Sequence, residues 1–475
     1  GKGHGRAVTF AALLARADDL ARAWHARGIW RGDRVLLAMR VDSDLYASLA
    51  ALWSLGATVV LPEPAMGLAG LRHAARTTGA TVFCSNGPFG VLRFVLPELW
   101  RLRQVRPHAR GGPTPAPHDP DAREIALISF TSGTTGLPKA IPRSHGFLSA
   151  QHRAIAPLLE SGPDDRDLVA FPVFVLINLA SGRTSVLPNW KRSRRKNPRP
   201  SDVTGWMEQQ GVTRALLPPA SCEVLVGSTL PAALHTIFTG GGPVFPHLLH
   251  GLKTAKPSLR IICVYGSTEA EPIAHLDATD VSSADLVAMT SGQGLLAGHP
   301  VADIRVRIMD DEVQVAGPHV NSGYLDPAHD AENKIAEGGT IWHRTGDAGR
   351  LDDRGRLWLL GRLGTQVRLA HDTAFPFAVE VAAMGWQGVR RCALMPTATG
   401  ASLVIEGDVS YLAGWREKAG ALSVSSVRHI ARIPMDKRHG SKVDRVLLRQ
   451  MLATVFLRRP DWSISDEICK ARSRS

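Results

Sequence analysis

ISFTSGTTGLPKAIPRSHG, residues 128–146, sets an apolar run ending at Phe130 directly against a segment rich in glycine and hydroxyl side chains. A strand that delivers such a loop lets backbone N–H groups converge on one centre. The hydroxyls of Thr131, Ser132, Thr134 and Thr135 ring that centre, which makes a cradle for phosphate oxygens. Gly133 and Gly136 permit close backbone approach, and Lys139 adds a point charge for the same anion. Leu137 and Pro138 separate glycine from lysine, so the loop is not a Walker A motif, which needs Gly-Lys-Ser/Thr.

Working outward, the residues before the loop follow a β-α-β rhythm. Apolar residues from Phe10 recur at Leu13, Leu14, Ala17, Leu20, Ala21 and Trp24, the spacing of a helix with one buried stripe, and Gly28 ends it. RVLLAM (34–39) reads as a buried strand, DLYASLAALWSL (44–55) as a helix stopped by Gly56, and ATVVL (57–61) as the next strand. Beyond the loop, TRALLPP (213–219) and LRIICVYG (259–266) read as strands that carry residues to a crevice at their C-terminal ends. The fold class expected is α/β, with parallel sheets covered by helices on both faces. After about residue 300 the texture becomes β-rich: DIRVRIMDDEVQVAGP (303–318) alternates apolar and polar residues about a turn at Asp310 and Asp311, and GRLDDRGRLWLLGR (349–362) repeats the pattern. A boundary near 362–364 divides a large domain, 1–361, from a small α+β domain, 362–475, joined by a hinge.

Composition excludes several classes. The 475 residues are 44% hydrophobic and 21% charged, ordinary globular usage, without repeats or low-complexity tracts. Every apolar run is broken before the roughly 18 residues a membrane span needs, and no signal segment opens the chain, so a cytoplasmic protein is expected. The chain begins at Gly1 instead of methionine, so further N-terminal residues are expected. The five cysteines stand singly, which suits reduced structural thiols. Fifty-six basic against 43 acidic residues give a net charge of +13, suited to an anionic ligand such as ATP or coenzyme A. The basic run KRSRRKNPR (191–199) lacks interleaved aromatics and reads as a solvated loop, so no nucleic-acid partner is expected.

TSGTTGLPK (131–139) resembles the phosphate-loop signature of the adenylate-forming superfamily, which includes acyl-CoA synthetases, luciferases and the adenylation domains of peptide synthetases. Further pieces follow in that superfamily's order. TGGGPV (239–244) resembles its adenine-side glycine segment, VYGSTE (264–269) its Tyr-Gly-x-Thr-Glu motif, and HRTGD (343–347) its Thr-Gly-Asp motif; Gly361 and Arg362 resemble the start of its hinge, and GSKVDR (440–445) its C-terminal lysine motif. The resemblance implies that Thr131, Ser132, Gly133, Thr134, Thr135, Gly136 and Lys139 hold the β- and γ-phosphates of ATP, with Gly241, Gly242 and Pro243 on the adenine side. Tyr265, Gly266 and Ser267 line the nucleotide, the Tyr265 ring stacking on adenine. Asp347 is implied to accept from both ribose hydroxyls, and Arg362 to sit near the ribose and hinge. Glu269, beside Thr268, is implied as the Mg²⁺ ligand, a hard oxygen donor suited to that ion. Lys442 is implied to reach from the small domain to the carboxylate and α-phosphate, where negative charge converges as pyrophosphate leaves. Thr268, Glu269 and Lys442 therefore form the expected catalytic set. His145 reads equally as part of a helix cap, and Arg143 and Trp342 as packing or surface residues.

Two stretches depart from the superfamily pattern. The hinge, GRLGTQVRLAHDTAFPFAVE (361–380), has Thr365 where an Asp is usual and no glycine in the following turn, which weakens the case for coenzyme A entry. The tail DKRHGSKVDR (436–445) has one residue more than the common Gly-Lys pair. Both resemble the olefin-pathway β-lactone synthetases, in which an adenylated β-hydroxy acid closes on its own hydroxyl. The segment FPVFVLINLASG (171–182) is apolar and is expected to border a pocket for a fatty or similar acid. The expected activity is adenylation of a small-molecule carboxylic acid with ATP and Mg²⁺. Transfer to a thiol of coenzyme A or a carrier protein is the first expectation for the second step, and β-lactone closure the alternative. Catalytic impairment with retained nucleotide binding is a third reading, motivated by the same departures.

Overall fold

The computed structural model describes residues 7–62, 66–108, 110–131, 138–190, 198–369, 373–398, 400–436 and 440–458. Its first sheet has six strands in the order Arg103–Val105, Val82–Ser85, Arg34–Ala38, Thr58–Val60, Ile125–Phe130 and Ala140–Ser144. All neighbours are parallel except the last pair, which flank the phosphate loop. The sequence explains this layout. Val35, Leu37 and Val59 enter one core, while their neighbours Leu36, Ala38 and Val60 enter another, so these strands are buried on both faces and read as continuous apolar runs. The first helix, Phe10–His25, starts at Thr9, whose hydroxyl accepts from the Ala12 amide at 3.1 Å, and is followed by Gly28 at φ +79°.

The second sheet has twelve strands. Thr184–Val186, Arg166–Val169, Arg214–Leu217, Thr236–Gly240 and Arg260–Ser267 run parallel. From there Ala270–Asp277, Leu295–Pro300, Leu357–Arg362, Thr340–Leu351, Glu312–Ala316 and Arg305–Met309 continue antiparallel, with Lys334–Glu337 paired alongside Thr340–Leu351. The β-rich region expected after residue 300 is thus an extension of the long sheet. The turn at Asp310 and Asp311 has both residues at positive φ, 50° and 63°, as a two-residue hairpin of matching twist requires.

The two sheets share one core. Leu216, Phe238 and Ile262 of the long sheet pack in the same cluster as Val35, Leu37 and Val59, with helices Ser43–Ser54 and Pro172–Ala180 between them. A buried ion pair fixes one of those helices. Arg214 donates to both Asp167 oxygens at 2.7 and 2.8 Å, and Asp167 also accepts from Asn178 of the helix at 2.9 Å. Following the long sheet, Val389–Thr397, Gly400–Gly407 and Ser426–His429 form a three-stranded sheet, with helices Phe377–Ala383, Leu412–Ala421 and Arg445–Arg458 nearby in the chain. Cys84, Cys222, Cys263 and Cys392 are buried free thiols; Cys469 lies outside the described residues. Among the described residues no helix is long and apolar enough to cross a membrane.

Arg214→Ala leaves the Asp167 charge buried without its partner and is expected to lower unfolding free energy by about 3–5 kcal/mol. Urea denaturation measures this, and a shift below about 1 kcal/mol would show that the pair does not anchor the helix layer.

Candidate active site

The phosphate loop is gripped at its base. The Lys139 amide donates to Thr131 Oγ1 at 3.0 Å and the Thr131 amide to the Lys139 carbonyl at 3.1 Å, so the strands on either side close the loop where it leaves the sheet. Ser132, Gly133, Thr134, Thr135 and Gly136 lie outside the described residues. The next residue, Ala140, accepts from the Leu325 amide at 3.0 Å, which brings Tyr324 beside Lys139. The Lys139 ammonium stands 5.4 Å from the centre of the Tyr324 ring, and the Tyr324 hydroxyl donates to Glu269 Oε1 at 2.9 Å. Lys139 and Glu269, predicted from separate motifs, therefore border one tyrosine.

Glu269 follows the tight turn Gly266–Thr268. A Cβ on Gly266 would come within 2.9 Å of the Ala270 carbonyl, so glycine permits the reversal. Arg143, buried, donates to the Thr268 carbonyl at 2.7 Å and props this turn from below, a structural role in keeping with the sequence expectation. Burial works to raise the Glu269 pKa, but His343, the Tyr324 hydroxyl and Lys334 more than reverse it, and the acid stays ionised. Burial draws the Lys334 amine down to about 8, with Lys139 adding to the effect and Glu269 and Asp330 opposing it.

A second constellation lies at Asp347. Its Oδ2 accepts from the Tyr265 hydroxyl at 2.7 Å, and its Oδ1 accepts from Arg362 Nη1 at 2.9 Å. Arg362 also donates to the Thr345 carbonyl at 3.0 Å, and Gly346, at φ +66°, leaves the space its guanidinium fills. Burial, then the neighbouring Asp347 charge, holds the Tyr265 phenol far above its ordinary pKa, so it remains a donor. Each carboxylate oxygen retains a lone pair for a further donor. Beneath the turn, buried Glu312 accepts from the Gly346 amide at 3.1 Å and from Arg344 Nε at 2.6 Å. Glu269 contributes to the electrostatics at Arg362, as do Asp347 and Tyr265, so the two constellations lie within electrostatic reach of one another.

The tail adds a third group. Asp436 Oδ1 accepts from the Ser441 and Lys442 amides, each at 2.8 Å, and the Asp436 amide donates to the Lys442 carbonyl at 2.8 Å. Arg445 donates to the Leu394 carbonyl at 2.7 Å and pairs with Glu380, which anchors the loop to its own sheet and helix. Ser441 meets the large body: its Oγ accepts from the Ala220 amide at 3.2 Å, and a Cβ on Gly242 would lie 2.5 Å from the Ser441 Cβ. Lys442, exposed, is thereby carried to the edge of the 241–243 segment. Thr365, in the position where an Asp is usual, donates its hydroxyl to the Arg362 carbonyl at 2.6 Å and closes a turn in which Gly364 adopts φ +76°. His145 is the first residue of helix His145–Ile155, capped by Ser144, and Trp342 packs against Arg305 and Arg307.

Tyr324, Lys334 and Glu312 were not singled out in the sequence. Each lies outside the glycine-bearing motifs and is brought beside them only by the fold. The Lys334↔His343 pairing, for instance, places a lysine beside HRTGD.

Lys139 and Glu269 about Tyr324, Asp347 between Tyr265 and Arg362, and the Lys442 loop against Gly242 bring together residues expected from separate motifs. Residues 2–325 match the AMP-binding enzyme family, and the chain belongs to it as an ATP-dependent adenylate-forming ligase. Among curated relatives, the olefin beta-lactone synthetase of Stenotrophomonas maltophilia is 28% identical, covering 94% of this chain and 92% of its own length. That of Xanthomonas campestris pv. campestris is also 28% identical, over 92% and 89%. Among solved structures, the O-succinylbenzoate coenzyme A synthetase of Bacillus subtilis, in complex with ATP and magnesium ion, superposes with a TM-score of 0.76 at 21% identity, covering 94% and 95% of the two chains.

Gly242→Ala keeps the φ/ψ freedom the position needs but drives a methyl into Ser441. Acid-dependent ATP–pyrophosphate exchange is expected to fall about a hundred-fold. Unchanged exchange would show that this docked arrangement is not the one in which adenylation occurs.

Proposed function

We propose that the chain adenylates an apolar, fatty-acid-like 3-hydroxy acid with ATP and Mg²⁺, releasing pyrophosphate, and that the activated acid then closes on its own hydroxyl to a β-lactone, releasing AMP. The observation that carries this reading is an apolar lining around a small cavity, about 30 Å³, beside Gly240 and Gly241. Leu159, Phe171, Phe174, Leu216, Phe238 and Val264 line it, and among the described residues its one ionisable lining residue is Glu271. Phe171 and Phe174, whose rings lie 5.7 Å apart, come from the segment read in the sequence as the acyl border. Such a lining favours an aliphatic tail, and a carboxylate within it repels a second acid group while accepting a hydrogen bond from a hydroxyl.

In this reading Tyr265 stacks on the adenine, and Asp347 with Arg362 holds the ribose. Thr131, Lys139 and the intervening loop take the phosphates, and Lys442 meets the charge shared by the carboxylate and α-phosphate. Glu269 fits Mg²⁺. No group of three or more His, Cys, Asp or Glu among the described residues forms a cage, and one carboxylate supplemented by substrate phosphates is how this ion is commonly bound. When bound, the ion neutralises charge on the phosphate oxygens. In the second step the substrate hydroxyl oxygen attacks the acyl carbon, the bond from acyl carbon to phosphate oxygen breaks with AMP taking the electron pair, and Glu271 accepts the hydroxyl proton. The names of the two curated relatives and the hinge without its usual Asp support closure without a thiol.

Thioester formation is the second reading. Gly364 supports it, because a left-handed bend just after Arg362 supplies a pivot about which residues 362–475 turn as a small mobile domain. Mass spectrometry of products from ATP, Mg²⁺ and 3-hydroxy fatty acids separates the two. A β-lactone that forms equally with and without coenzyme A is expected, and Glu271→Gln should reduce lactone while preserving pyrophosphate exchange. An acyl-CoA product formed only with coenzyme A would overturn lactone closure, and stronger exchange with amino acids than with fatty acids would overturn the substrate class.

A further inference from the structure

Tyr324 carries two lysines. The Lys139 ammonium is 5.4 Å from its ring centre, and the Lys334 ammonium is 5.3 Å from the same point. Lys334 opens the strand Lys334–Glu337, pairs in register with His343, and donates to the Asn321 carbonyl. The Asn321 amide in turn donates to the Glu269 carbonyl at 2.7 Å. A lysine at the start of a short edge strand would ordinarily extend its stem into solvent. Here it turns inward to a ring that already faces one ammonium and whose hydroxyl is bonded to Glu269. Asp330 and Glu269 are the acidic groups around it; Asp330 is engaged by the Tyr324 amide at 2.8 Å.

Two cations held at one ring repel each other, and the arrangement suits an anion carrying several charges. A triphosphate that loses pyrophosphate is such an anion, and its leaving group gains charge as the bond to the α-phosphorus breaks. We propose that Lys334 is a second phosphate-binding cation, acting with Lys139 on the pyrophosphate moiety of ATP. Lys139 arrives from the phosphate loop and Lys334 from the edge of the long sheet, so the leaving group is held between the two sheets. This assignment rests on the reading of Lys139 as a phosphate ligand. The competing role is purely internal: Lys334 would serve only as counter-ion to Glu269 and tether to Asn321.

The test compares Lys334→Met, Lys334→Gln, Lys334→Arg and Lys139→Met in the full chain, with inorganic pyrophosphate as the probe. Pyrophosphate inhibition of adenylation, its direct binding by calorimetry and the KM for ATP are measured with Mg²⁺ half-saturation and melting temperature. Lys334→Met and Lys334→Gln are expected to weaken pyrophosphate binding and raise the KM for ATP about ten-fold or more, with the KM for the acid unchanged. Lys334→Arg should retain most of the affinity, and Lys139→Met should lose it. Gln keeps a donor for Asn321, so a loss common to Met and Gln reports the charge. Pyrophosphate constants within about two-fold of wild type in the folded Lys334 variants, with a change only in Mg²⁺ half-saturation, would overturn the inference. If Lys139→Met also left pyrophosphate affinity intact, the phosphate-site reading beneath it would fall as well.

Discussion

Asp347 sits between a phenol and a guanidinium, and this part of the structure depends on that pair of hydrogen bonds. Tyr265 belongs to the last parallel strand of the long sheet, Asp347 and Arg362 to two antiparallel strands further along it. The Tyr265–Asp347 bond crosses from the parallel to the antiparallel part of the sheet, spanning 82 residues of chain, while Asp347 and Arg362 are partners on neighbouring strands. A charged acceptor with two donors is worth more than a neutral contact. Because Arg362 ends its strand, the same contact ties Asp347 to the end of Leu357–Arg362.

Electrostatic balance extends from there. Glu269 is half-buried, and His343, the Tyr324 hydroxyl and Lys334 keep it ionised against that burial. Such a carboxylate suits a cation shared with a phosphate, and the neighbouring lysines suit the phosphate itself. The lysine loop is built on its own supports, Asp436, Arg445 and Glu380, and meets the large body where Gly242 has no side chain.

Much of this could be read in the chain. Apolar runs such as RVLLAM and LRIICVYG become strands because burial on both faces leaves little room for polar residues. The loop after Phe130 and the motifs around Tyr265, Glu269 and Asp347 were visible because tight turns impose glycine at fixed places. Other features were silent for physical reasons. The β-rich region does not form a separate sheet, since strand alternation reports which face is buried and not which edge a strand joins. Lys334 and Glu312 have no local signature: each acts through cross-strand register, and a lone charged residue in a strand resembles a solvated one until its partner is known.

Crystallography with a non-hydrolysable acyl-sulfamate analogue of the acyl adenylate tests the shared cleft most directly. The adenine is expected on the Tyr265 ring, the ribose hydroxyls on Asp347, the sulfamate within hydrogen-bond distance of Lys442, and the acyl chain in the cavity bordered by Phe174 and Phe238. An analogue bound away from Asp347 and Tyr265, or with its acyl chain in solvent outside that cavity, would contradict it.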